Sequence, residues 1–303
     1  MRIGFAGAGA VGCHYGAKLA QAGFDVLLLA RGAHLRALQQ HGLQHESAGE
    51  SMQLNVDATG DAALLGDCNV VVLSCKMTGL EALLGRMRGC LSPDAMLVSL
   101  QNGVQAPDML AEAFPGHAVV AGTAFIGARM TAPGHVIHSA AGGVRLGLWR
   151  EGHGETYFAQ WISALDVAGV PVRLDHDPAA MLWRKLLWNC GFNAITAITR
   201  RYAQEIAANA ETLQLVREAM QETVAVANAL GVAIDAADID KHISVTLAMG
   251  PVKTSMWQDI EADRTSEVDY INGYVAARAK TMGLAAPVNR VLTTMMHAAG
   301  GCE

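Results

Sequence analysis

The sequence predicts an α/β domain over residues 1–174 followed by an all-α domain over residues 175–303, on three observations. A short apolar strand at the N-terminus runs directly into a glycine-rich turn and a helix. Unbroken apolar runs of strand length then alternate with helical stretches as far as Leu174. Beyond Asp175-His176-Asp177-Pro178, almost every segment carries helical periodicity instead.

Composition sets the frame. A chain of 303 residues, 51% hydrophobic, is long enough for two cores. The net charge of −6 argues against a nucleic-acid binder, which normally presents a basic face. Six cysteines (13, 68, 75, 90, 190 and 302) form no C-x-x-C pair, which points to reduced thiols and no structural metal centre. The N-terminus lacks the continuous apolar core of a signal peptide, and no uncharged apolar run reaches the ~20 residues that span a bilayer. A cytoplasmic protein with neither nucleic-acid nor membrane partners is expected. His41 and His45, four residues apart with no carboxylate or cysteine pattern around them, read as loop histidines.

Residues 2–6 read as the first buried strand. Gly7-Ala8-Gly9-Ala10-Val11-Gly12 follows at once, a G-x-G-x-x-G motif opening a helix over 11–22 that ends at Gly23, with a second strand over 25–30. In that setting the glycines permit a tight turn, close approach of a pyrophosphate and close helix–strand packing, and the helix N-terminus supplies N–H groups for phosphate. The N-terminal domain is therefore Rossmann-type. Where an NAD binder usually carries an acid to hold the ribose 2′-OH, this chain has Arg31, whose guanidinium suits a 2′-phosphate. NADPH is the expected cofactor.

A helix over 33–40 and a strand over 53–59 come next. Residues 69–75 form a buried strand ending at Lys76, and a helix over 80–91 leads to a strand over 95–100 that ends in Gln101-Asn102-Gly103. Lys76 and Asn102 thus fall at equivalent C-terminal strand ends, where open α/β sheets bind ligands. Strands over 119–129, 134–139 and 144–149, a helix over 155–168 and a short strand over 170–174 complete the domain.

The second domain opens with Asp177 as helix cap and Pro178 in the first turn. Helices are expected over 179–199, 203–230, 236–249, 259–282 and 288–299. In the first of these, Lys185, Asn189 and Asn193 recur at i, i+4 and i+8 and share one face of an otherwise apolar helix. Asparagine is a poor helix-interior residue, so the stripe reads as a cleft wall with one cation and two amides. A substrate cleft between domains is the default expectation. Thr254 or Ser255 would cap the helix that holds Asp259, Glu267 and Asn272.

With these residues in place, the chain resembles the ketopantoate reductase family over nearly its full length. The resemblance rests on Gly7 to Gly12, Lys76, Gln101-Asn102-Gly103, Gly122-Thr123 through Ala128-Arg129, and Lys185-Leu186 with Asn189 and Asn193. It continues through Ser255-Met256, Asp259, Arg264, Glu267-Val268-Asp269 and Ile271-Asn272-Gly273. It implies a 6-phosphogluconate-dehydrogenase-like C-terminal arrangement and NADPH-dependent reduction of a 2-oxo acid. Lys185 would be the proton donor, and Glu267 would contact the cofactor within the active-site hydrogen-bond network. Asn102, Asn189, Asn193 and Ser255 would hold the substrate, and Lys76, Asn102 and Ala128 match cofactor-contacting positions. One position departs from the family pattern: Ala203 stands where a substrate-binding asparagine is common, leaving a hydrogen bond missing unless a neighbour such as Gln204 supplies it. Reduction of ketopantoate to pantoate, reduction of a different branched 2-oxo acid, and a non-catalytic NADP-binding sensor are the three readings. Whether the chain forms a homodimer stays open.

Overall fold

The computed structural model describes residues 1–300; Cys302 lies outside them. Two compact units emerge, Met1–Gln101 with Gln105–Pro178, and Asn102–Val104 with the chain from Ala179 on.

The first unit is built on a ten-stranded sheet. Its elements are β1 (Arg2–Ala6), α1 (Ala10–Gln21), β2 (Asp25–Leu29), α2 (Gly32–His41), β3 (Leu43–Ser47), β4 (Glu50–Leu54) and β5 (Asp57–Thr59). They continue with β6 (Val70–Leu73), α3 (Leu80–Met87), β7 (Met96–Ser99), α4 (Ala106–Ala113), β8 (Val119–Ala132), β9 (His135–Arg150), α5 (Tyr157–Val167) and β10 (Val172–Leu174). The strand order is β4-β3-β9-β8-β7-β6-β1-β2-β5, with β10 beside β9. From β5 through β2, β1, β6 and β7 to β8 every pairing is parallel. The apolar runs of β6 and β7 are buried along their whole length, because a parallel sheet is covered on both faces. Strand succession runs outward from β1 to β2 and β5, then returns to β1's other side with β6. The ends of β1 and β6 therefore flank the topological switch point, the ligand-binding position of such sheets.

Two stretches fold differently from the sequence expectation. The strand expected over 53–59 is replaced by the hairpin of β3 and β4, followed by a separate β5. Its turn places Ala48 (φ 53°) and Gly49 (φ 82°) in left-handed backbone, and an alanine there hides the usual Asn-Gly signal. The strands expected over 134–139 and 144–149 are one strand, β9. Phe125 pairs Gly143 whereas Ile126 pairs Ala141, so Gly142, at φ 114°, is absorbed as a bulge and not spent on a turn.

His45 is no loop histidine. It lies buried on β3 with Nε2 3.0 Å from Nδ1 of His14 on α1, and the ring of His138 on β9 lies 4.2 Å from that of His14. Burial first, then the neighbouring His138, His45 and Lys18, push His14 down to about 3. Burial, His138 and Lys18 push His45 down to about 4. Among the described residues, no cluster of three or more His, Cys, Asp or Glu has an arrangement that would hold a metal ion.

The second unit contains α6 (Pro178–Thr199), α7 (Ala203–Ala208), α8 (Ala210–Ala229), α9 (Ala236–Ala248), α10 (Ser255–Glu261), α11 (Asn272–Thr281) and α12 (Pro287–Ala299). The helix expected over 203–230 breaks at Asn209, whose side chain accepts from the N–H groups of Glu211 (3.1 Å) and Thr212 (3.0 Å) and so caps a new helix. The helix expected over 259–282 also divides. Asp263 turns the chain at φ 50°, Arg264 Nε binds Asp259 Oδ1 at 3.2 Å, and a 3₁₀ turn over Val268–Tyr270 precedes α11. No helix among the described residues is long and apolar enough to cross a membrane.

Candidate active site

In the first unit, the glycine loop joins β1 to α1, and two of its glycines are required by packing. A Cβ at Gly7 would lie 2.4 Å from the backbone nitrogen of Cys75, and one at Gly12 would lie 2.4 Å from the carbonyl oxygen of Gly7. The close approach couples the loop to the end of β6, where Ser74 Oγ donates to the Gly7 carbonyl at 2.8 Å. Gly9 differs: a Cβ there would meet nothing within 4 Å. Open space at the middle glycine is a cradle that a side chain would fill. Gly9 is also the N-cap of α1, contributes no side-chain cap, and is followed by a first turn free of acidic residues. The N–H groups of Ala10, Val11 and Gly12 thus keep the donor character and partial positive charge of a helix start. These features fit a dinucleotide pyrophosphate.

Arg31 is exposed immediately beyond β2, in extended backbone at the N-cap of α2. Lys76 follows β6 at the N-cap of the 3₁₀ turn Met77–Gly79. Just before it, Cys75 Sγ lies 3.6 Å from Gln101 Nε2. Ala128 is half-buried on β8, paired with His138. Leu73 and Ser99 pair at the ends of β6 and β7, and Lys76 and Asn102 each follow by three residues, so the two come after equivalent strand ends as the sequence predicts.

Asn102, Lys185, Asn189, Asn193, Ser255 and Glu267 all belong to the second unit. The α6 stripe does not face solvent: Asn189 and Asn193 are 4% and 1% exposed. Nevertheless, Asn189 Nδ2 and Asn193 Oδ1 have no hydrogen-bond partner in the protein. Native structures leave few buried polar atoms unpaired, and here one unpaired donor and one unpaired acceptor share a single stripe. Lys185 lies on that stripe. Burial pulls its ammonium down to about 8, while the neighbouring Glu267 carboxylate acts in the opposite direction. Glu267 is itself buried and accepts from Asn102 Nδ2 at 3.1 Å.

The choice between Thr254 and Ser255 as helix cap falls to Thr254, whose hydroxyl accepts from Trp257 N–H at 3.3 Å. This leaves Ser255 exposed at the first position of α10. Thr254 also bonds to Thr196 on α6 at 2.7 Å, which ties the turn carrying Asn193 to the turn carrying Ser255. Sequence reasoning missed that pair; its signal was a hydroxyl three residues beyond Asn193 in an apolar stretch of helix. Ala203 is fully buried. Gln204 does not take its place, because its amide, oriented to donate, is engaged by the carbonyl oxygens of Met249 and Gly250.

These are the parts of a nicotinamide-dependent oxidoreductase: a dinucleotide-type loop at the switch point of a parallel sheet, and a helical unit carrying an acid of adjusted pKa. Comparison with known proteins agrees. Residues 3–151 match the family model described as ketopantoate reductase PanE/ApbA, and residues 177–300 match its C-terminal counterpart. The 2-dehydropantoate 2-reductase of Nostoc sp. is 30% identical, over 93% of this chain and 89% of the relative. A PanE/ApbA family ketopantoate reductase from Ralstonia eutropha superposes with a TM-score of 0.91 at 31% identity, covering 99% of this chain and 98% of that one. D-mandelate dehydrogenase, solved with NADH and anilino(oxo)acetate, also gives a TM-score of 0.91, at 25% identity and the same coverage. The chain belongs to the ketopantoate reductase family.

Proposed function

We propose that this chain reduces 2-dehydropantoate to pantoate with NADPH, with Lys185 as proton donor. The observation that carries the reading is the Lys185 ammonium, brought down to about 8 on the same stripe as two buried, unpaired amide groups. An acid is most effective when its pKa lies near the working pH.

NADPH, when bound, supplies the hydride for the keto carbon. Gly7, Ala8, Gly9, Ala10, Val11 and Gly12 would hold its pyrophosphate, with Arg31 at the 2′-phosphate and Lys76, Asn102, Ala128 and Glu267 as further contacts. Lys185 stabilises the negative charge that develops on the keto oxygen and then donates its proton there. Asn189 Nδ2 can donate to a carboxylate or keto oxygen, Asn193 Oδ1 can accept from a hydroxyl, and the Ser255 hydroxyl can do either. Glu267, held by Asn102, keeps the lysine charged and oriented.

A second reading, reduction of a different 2-oxo acid, has its own observation. Ala203 is buried with no polar side chain, and Gln204 is committed to the 249–250 backbone. A site short of one polar partner favours a substrate that is less polar at that end. The similarity to D-mandelate dehydrogenase lends support. The shared chemistry is tested by Lys185→Ala, which should lower kcat roughly 10²- to 10⁴-fold; a kcat within a fewfold of wild type would remove the proton-donor role.

A further inference from the structure

The helical unit contains a second polar network. Asn272, at the first position of α11, and Asn289, on α12, are both fully buried. Asn272 Nδ2 donates to the Cys190 carbonyl oxygen and to Asn289 Oδ1, each at 2.9 Å. Asn289 Nδ2 donates to Glu222 Oε2 at 2.7 Å and to the Ala219 carbonyl at 2.9 Å. The Glu222 carboxylate on α8 also accepts the N–H groups of Val288 (2.8 Å) and Asn289 (2.9 Å). One hydrogen-bonded chain therefore runs from α8 through α12 and α11 to the backbone of α6.

Both ends of this chain matter. Cys190 lies on α6 between Lys185 and Asn193, next to Asn189. Its carbonyl takes the bond from Asn272 on the lone pair that the helix ladder leaves over. Asn272 is also joined to Glu267 through one tight turn, with Tyr270 N–H on the Glu267 carbonyl at 3.0 Å and Ile271 N–H on that of Val268 at 3.1 Å. Val268 and Ile271 are buried, and a Cβ at Gly273 would already press on Val268 O at 3.2 Å and Thr293 Cγ2 at 3.3 Å. The turn has little room to move.

The network is specific in direction. Each Nδ2 faces two acceptors, so a flipped amide would set oxygen against oxygen. Asn272 Oδ1 is meanwhile left buried without a partner. The two bonds that Nδ2 makes are directional contacts from α11 to α6 and α12, and an apolar side chain here would lose both and leave Asn289 Oδ1 buried without its donor.

We infer that Glu222, Asn289 and Asn272 are positioning residues that fix α6 against the Glu267 turn and so set the separation of Lys185 and Glu267. The inference rests on the proposed reaction. Misplacing reacting groups by about 1 Å costs on the order of a hundredfold. Asn272→Ala should therefore lower kcat by roughly ten- to a hundredfold and displace the alkaline midpoint of kcat, with NADPH affinity within about twofold of wild type. Adding Glu222→Gln to Asn272→Ala should cost no more than about twofold further, since groups acting as one unit are not additive. Val226→Ala, in the buried face of α8, provides a packing control that loses stability but keeps kcat within about twofold.

A folded Asn272→Ala with wild-type kcat and pH midpoint overturns the inference, as does an equal kcat loss in Val226→Ala. If Asn272→Ala does not fold, Glu222→Gln alone decides: a severalfold loss with a displaced midpoint supports the network, and an unchanged profile overturns it. If the wild-type enzyme turns over no 2-oxo acid, the proposed function fails separately. The network is then judged by labelling Lys185 with an amine-reactive probe, read by mass spectrometry. A changed labelling rate in Glu222→Gln supports it, and an unchanged rate overturns it.

Discussion

The Lys185 ammonium loses its proton with a midpoint of about 8, where an ordinary lysine stands at 10.5. In the proposed reaction the oxo acid takes up that proton, so the rate should fall as pH rises through this midpoint. At about pH 7 roughly 90% of Lys185 is charged, and at about pH 9 roughly 10%, whereas an unperturbed lysine would stay almost fully charged at both. The expected loss in kcat is thus about tenfold between these two values. Deprotonation of Lys185 does not itself destabilise the fold. Between about 8 and 10.5 the unfolded chain binds this proton more than the folded one does, so the lysine's contribution to stability grows with pH in that window. Glu267→Gln removes the charge that opposes the burial effect and should move the midpoint further down. Initial rates of NADPH oxidation at saturating oxo acid, measured beside a melting curve at each pH, test both points. A kcat flat from about pH 7 to 9.5, or a midpoint raised by Glu267→Gln, would refute the reasoning.

Two other predictions concern the first unit. His14 and His45 are held neutral in the fold, at about 3 and about 4 against 6.5, so stability is lost as pH falls below the unfolded value. The loss is roughly 2 kcal/mol per histidine by pH 5, or about 4–8 °C in Tm each; the melting temperature of His14→Leu should fall less steeply between about pH 7 and 5, and parallel curves would exclude the effect. Arg31→Ala should raise the NADPH dissociation constant about ten- to a hundredfold, the value of a charge-assisted pair, and leave NADH within about twofold. Titration of cofactor fluorescence reads both, and equal losses for the two cofactors would remove the 2′-phosphate role.

The parts of this fold legible in the sequence are those in which local pattern and burial agree. The apolar runs at Arg2–Ala6, Val70–Leu73 and Met96–Ser99 are the centre of the parallel sheet, and the spacing of Lys185, Asn189 and Asn193 places them on one face of α6, where both asparagines are buried. What escaped was set by single residues against the prevailing pattern. Asn209 caps a helix in the middle of a continuous helical periodicity. Asp259 and Arg264 pair across a turn where that periodicity had predicted uninterrupted helix. Gly142 reads as a turn but is a bulge in a long strand. His45 found its partner in His14, thirty-one residues away, and no local spacing announces such a contact. The Thr196–Thr254 and Asn272–Cys190 bonds are of the same kind: tertiary hydrogen bonds from residues whose types alone suggest only a cap and a helix start.

The most direct test of the central claim is kcat/KM of the wild-type enzyme with NADPH for 2-dehydropantoate, beside a panel of other branched and aromatic 2-oxo acids. The account predicts that 2-dehydropantoate exceeds every other substrate by at least about tenfold, with a local group compensating for Ala203. An aromatic or simpler branched oxo acid in first place would contradict the substrate assignment and leave the Lys185 chemistry standing. NADPH binding with no turnover on any of them would contradict the reductase itself.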